Sequence, residues 1–102
     1  PGKQGAFQDA KLGVQVSNLT PEVAEKLGIR AGQGVVITDV RNGSQAQMAG
    51  LSSGMVIAQV GQRPVKSVAE YAAAMEKQSL AKGIMLRVVT AEGAHFIVIR
   101  SS

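Results

Sequence analysis

The chain has 102 residues, a net charge of +4 and no cysteine. That is the length of one domain, and it excludes a disulfide framework and any thiolate nucleophile or ligand. The basic residues are scattered and the only aromatics are Phe7, Tyr71 and Phe96, which argues for an aliphatic core and against nucleic-acid binding.

No apolar run is long enough to cross a bilayer as a helix, and no secretory signal is present, so direct membrane insertion is not expected. Residues 1–10 are rich in Gly and Gln and read as a linker cut from something longer, with the folded domain at 11–102. Leu12-Gly13-Val14-Gln15-Val16 then alternates apolar and polar, the period of a half-buried strand running to about Asn18. Gly13 removes a Cβ that would block close approach to the backbone. A strand opened by such a turn can offer N–H groups to an anion and an edge to an incoming extended chain. It can equally be an ordinary edge strand whose glycine eases the turn.

Thr20-Pro21-Glu22 starts a short helix that Gly28 closes. Residues 30–34 read as a loop, and Gly34–Val40 as a strand, apolar on both faces at its start and therefore central. Ser44 and Gln47 have capping-box spacing for a very short helix ended by Gly50. Met55–Val60 is the next strand. Gly61-Gln62 suits a tight turn, and Arg63-Pro64-Val65 returns as an edge because proline cannot donate to a ladder. Ser67 and Glu70 form a second capping box, opening the longest helix, Val68 to about Gln78. Its stripe, Val68, Tyr71, Ala72 and Met75, has helical spacing and suits core packing as well as a groove wall. Strands Ile84–Thr90 and Ala94–Arg100 make a final hairpin. The expected fold is α+β: a small, partly open antiparallel β-barrel of five or six strands, capped by two or three helices.

Catalytic groups are sparse. His95 is the single histidine and sits in a strand pattern beside Phe96, a poor place for the base of a serine nucleophile. No serine lies in a Gly-x-Ser-x-Gly elbow, and the acids are too dispersed for metal-ligand spacing. Gly32-Gln33-Gly34 precedes a strand rather than opening a helix, so the dinucleotide fingerprint fails on context. The reading is a non-enzymatic domain without cofactor or metal.

Residues 43–57, Gly-Ser-Gln-Ala-Gln-Met-Ala-Gly-Leu-Ser-Ser-Gly-Met-Val-Ile, resemble the central signature of PDZ domains. Val60–Val65 with Ser67 resembles the segment that usually follows it, and Leu12-Gly13-Val14 the apolar-Gly-apolar carboxylate-binding loop. The order of loop, groove strand, short helix and Gly34 strand resembles the PDZ domains of HtrA/Deg (Do-like) trypsin-fold serine proteases, over about Lys11 to Arg100. Gln45 stands where the family usually has Pro, Met55 where it has Asp, and Gly61-Gln62 where it has Asn-Gly. These departures concern local turns more than the groove.

The resemblance implies a peptide groove between the strand Gly13–Asn18 and the helix from Val68. Backbone N–H groups near Leu12, Gly13 and Val14 would hold a terminal carboxylate, with Lys11 near enough to assist. The strand through Gln15 and Val16 would pair with the peptide backbone. Leu12, Val14 and Met75 would line the pocket for the last side chain, with Ala72 on its wall. Val68 would face the residue two before the end and favour an apolar one there. Implied partners are C-termini or extended segments of unfolded proteins and a protease domain of the same parent chain, a homo-oligomeric, periplasmic or secreted serine endopeptidase. An alternative role within the family is oligomer assembly by a domain with a weak or closed groove. A PDZ domain from another bacterial processing or secretion system is a third.

Overall fold

The computed structural model describes residues 6–29 and 34–100. In chain order the elements are β1 (Ala6–Asp9), β2 (Val14–Asn18), α1 (Pro21–Leu27), β3 (Val35–Val40), α2 (Gln45–Ala49), β4 (Val56–Val60), β5 (Arg63–Pro64), α3 (Val68–Glu76), β6 (Ile84–Thr90) and β7 (Gly93–Ile99). One antiparallel sheet runs in the order β1-β2-β3-β4-β6-β7, with β5 paired only to β4. The sheet stays open, ending at β1 and β7.

Local chemistry accounts for most boundaries. The Thr20 hydroxyl accepts from the Val23 N–H, Pro21 occupies the first turn, and Gly28 ends α1 in the left-handed region. Ser44 and Ser67 cap α2 and α3 by accepting from the Gln47 and Glu70 N–H groups. The return bonds reach one residue further than in the usual capping box: Gln47 Oε1 accepts from Gly43 N, and Glu70 Oε1 from Lys66 N. Arg63 and Pro64 lie exposed at an edge, as the missing proline donor requires.

The period-2 alternation of β3 and β4 divides the core between two faces. Val35, Ile37 and Ile57 pack with Leu12, Val16, Tyr71, Met75 and Leu86 in the larger cluster. Val36 and Val56 point the other way, onto Leu19 of the β2–α1 connection and Ala24 of α1. The aliphatic composition suffices for both layers, because the pleat hands each strand's neighbouring side chains to opposite faces.

Two outcomes differ from the sequence expectation. Seven strands are present among the described residues rather than five or six. Where a linker was expected through residue 10, Ala6–Asp9 form β1 and pair with β2 in the register Ala6↔Ser17, Phe7↔Val16, Gln8↔Gln15, Asp9↔Val14. The polar, glycine-flanked composition hides this strand, since Phe7 is its single large apolar side chain and the rest of its anchoring is polar. The expected loop at residues 30–33 lies outside the described residues.

Gly13 joins the β1–β2 turn to α2. Its φ is +81°, and a Cβ there would stand 2.3 Å from the Ser44 Cβ. Both terms forbid a side chain. Gly13→Ala is expected to destabilise the domain by about 2 kcal/mol or more, measured by urea denaturation, whereas Gly43→Ala, with open space around the added Cβ, carries only the backbone term.

Candidate functional site

The β1–β2 turn, β2 and α3 come together at one side of the sheet. In the turn, Gly13 N donates to the Asp9 carbonyl at 2.8 Å and Lys11 N to Asp9 Oδ1 at 3.0 Å. Neighbouring carbonyls anchor the turn from behind: Leu12 O accepts from Ala46 N and Gly13 O from Arg41 N.

α3 runs antiparallel to β2 and is tied to it at both ends. Asn18 Oδ1, at the end of β2, accepts from Val68 N at 2.8 Å, satisfying one of the free N–H groups that open the helix. At the other end the Lys11 ammonium donates to Met75 O at 2.6 Å and Gln78 O at 2.8 Å. A cation on the last carbonyls complements the helix dipole. Lys11 therefore serves the helix end, and its ammonium is not directed at the turn's N–H groups.

Between these ties lies Tyr71, fully buried, whose hydroxyl donates to Asp9 Oδ2 at 2.6 Å. Its ring meets Phe7 edge-on, centroids 6.1 Å apart at 67°. Burial, first, and then the Asp9 charge and the hydrogen bond push the Tyr71 hydroxyl far above its ordinary pKa. Asp9 is the one polar or charged residue counted as buried among the described residues.

The remaining predicted site residues divide by depth. Leu12, Val14, Val16 and Met75 are buried and belong to the larger core cluster. Val68 is half-buried against the same cluster, and Ala72 is half-buried beside it on α3. Gln15 is half-buried, and its carbonyl accepts from the Thr38 hydroxyl where β3 bulges. Strand and helix are thus adjacent as expected, with most of the predicted pocket side chains turned into the core.

β2 pairs with β3 along one edge and with β1 along the other. The expected groove edge is consequently filled by residues 6–9. Phe7, Asp9 and Tyr71, which the sequence placed in a linker and in the core, are the groups that meet there. A legible signal was available: Phe7 and Asp9 are spaced by two ahead of a glycine turn, the alternation of a hairpin's first strand.

Comparison with known proteins follows this geometry. The PDZ domain family profile matches residues 3–89. A probable periplasmic serine endoprotease, DegP-like, of Chlamydia trachomatis serovar D is 35% identical over 102 residues, covering 99% of this chain and 20% of that protein. The chain thus spans about a fifth of that relative's length. Among solved structures, the HtrA3 PDZ domain bound to a phage-derived ligand, FGRWV, superposes with a TM-score of 0.73 at 21% identity, covering 93% of this chain and 83% of that one. The HtrA-type protease AlgW with a decapeptide superposes at 0.75 and 24% identity, covering 93% of this chain and 28% of that one. At these identities the structural likeness bears on fold.

The Asp9–Tyr71 pair has a measurable consequence. Tyr71→Phe leaves the ring in place and removes the hydroxyl donor from a buried carboxylate oxygen, which is expected to cost about 1–3 kcal/mol in chemical denaturation. Because folding raises the tyrosine pKa, the pair's stabilisation is complete below the unfolded value of about 10 and declines as pH rises above it. Tyr71 is the chain's single tyrosine, so an absorbance titration should show no phenolate until the domain unfolds at alkaline pH. Phenolate appearing near pH 10 in folded protein would contradict the buried pair.

Proposed function

The chain belongs to the PDZ domain family, and on that premise we propose that it is the peptide-recognition module of a DegP-like periplasmic serine protease. It takes C-termini or extended segments of unfolded proteins by strand addition beside α3 and has no hydrolytic chemistry of its own. A separate trypsin-like domain of the parent, a homo-oligomer, receives or senses what it binds. The observation that supports this most is the turn itself. At the end of β1, next to an antiparallel helix, Lys11 N donates to the Asp9 carboxylate and Gly13 N to the Asp9 carbonyl. Such N–H groups suit the carboxylate end of an extended chain, while backbone pairing along β2 provides sequence-independent affinity.

A second reading has its own observation. Both edges of β2 are paired, which suits a domain whose groove is closed and whose role is assembly of the parent oligomer.

An amide-detected NMR titration with peptides ending in apolar residues separates the two. Peptide recognition predicts shifts concentrated at residues 12–17 and 68–75, with affinity in the micromolar range or weaker, given about 1 kcal/mol per net hydrogen bond and one or two buried side chains. Unmoved resonances in those segments of a folded domain would leave the assembly role in its place.

A further inference from the structure

β1 has the geometry of a bound peptide. It is extended and antiparallel to β2, and its C-terminal end lies at the glycine turn. Its inward side chains, Phe7 and Asp9, meet Tyr71 of α3, while Gln8 faces solvent. Taking peptide recognition as the domain's role, we propose that β1 is a tethered occupant of the β2–α3 site, and that an incoming chain displaces it by offering the same pattern: an aromatic side chain two residues ahead of a carboxylate.

The Asp9 carboxylate marks the chemistry of the position. Its two oxygens take the Lys11 N–H and the Tyr71 hydroxyl. When β1 leaves, the buried Tyr71 hydroxyl loses its acceptor, a cost of about 1–3 kcal/mol unless another acceptor arrives. A ligand carboxylate restores both bonds with charge assistance, whereas a carboxamide brings a single neutral acceptor oxygen and an NH2 donor with nothing to receive it. The aromatic requirement comes from Phe7, which packs edge-on against Tyr71 and lies opposite Val16 in the ladder.

The tether sets the balance. β1 is four residues long, and it is joined to β2 through residues 10–13, so its effective concentration at the edge is on the order of millimolar or higher. A free ligand competes against that, and its apparent affinity falls in proportion to the fraction of molecules with β1 detached. Interactions holding β1 are few: a short ladder, one half-buried aromatic and one carboxylate. Loosening any of them from the β1 side raises the open fraction without replacing a residue of β2 or α3.

Gln8 and Gln15 are directly opposed in the ladder and neither is buried. The chain has no cysteine, so the double variant Gln8→Cys/Gln15→Cys allows one reversible crosslink across β1 and β2. The probe is a fluorescein-labelled heptapeptide with Phe two residues before a free C-terminal carboxylate, compared with its C-terminal amide by fluorescence anisotropy. The reduced double variant should bind the acid and is the reference for its own oxidised form. Oxidation should abolish binding, and Asp9→Ala, which frees the donors, should tighten it about tenfold or less while still discriminating against the amide. Equal binding by oxidised and reduced forms would place the peptide elsewhere and overturn the tethered-occupant proposal, leaving peptide recognition intact. Equal affinity for acid and amide would overturn the carboxylate part. Absence of binding by the reduced, oxidised and Asp9→Ala proteins, each with a folded NMR spectrum, would overturn the peptide-recognition reading as well.

Discussion

A buried carboxylate binds this structure together at one point. Removing the Asp9 charge from water carries a cost of several kcal/mol, which only hydrogen bonds of good geometry offset. They come from separate parts of the chain: Lys11 N in the turn and Tyr71 Oη on α3, with the residue's own carbonyl held by Gly13 N. The constraint therefore runs in both directions. The turn must keep its left-handed glycine so that its N–H groups point inward, and α3 must lie where the Tyr71 hydroxyl reaches the first strand. The lysine that crosses to the carbonyls of Met75 and Gln78, and the asparagine that accepts from Val68 N, hold the helix at that distance.

The same arrangement resolves a general difficulty of open sheets. An exposed strand edge presents unpaired backbone groups and invites association with other chains. Here β2, the strand that a PDZ groove would leave available, is covered by the segment immediately before it. The pairing of β1 with β2 uses the same backbone groups that strand addition in trans would require.

Legibility from sequence followed the range of the interactions. Helix starts at Thr20, Ser44 and Ser67 were readable because a cap and its partner lie within a few residues of each other. The central position of β3 was readable because Val35, Val36 and Ile37 leave no polar face. The role of Lys11 was not, since nothing local distinguishes an ammonium near a carboxylate loop from one that crosses to a helix end. Burial of Leu12, Val14, Val16 and Met75 shows the same limit: their spacing suits a groove wall and a core equally, and only packing decides which side they face. β1 escaped because its anchoring is polar and distant, with the partners of Asp9 and Phe7 on α3 some sixty residues away in sequence.

By itself the sequence determined the α+β class, the order of the elements from β2 onward and where the glycine turn must sit, since each depends on short-range signals of periodicity, capping and chirality, and it carried the motifs through which the chain resembles PDZ domains. Tertiary structure alone decided that residues 6–9 are a strand, that this strand lies along β2, and that its acidic end takes up the turn's N–H groups. Those outcomes rest on a buried hydrogen bond and a ring contact between segments far apart in the chain, whose energies exist only once α3 has folded over the sheet.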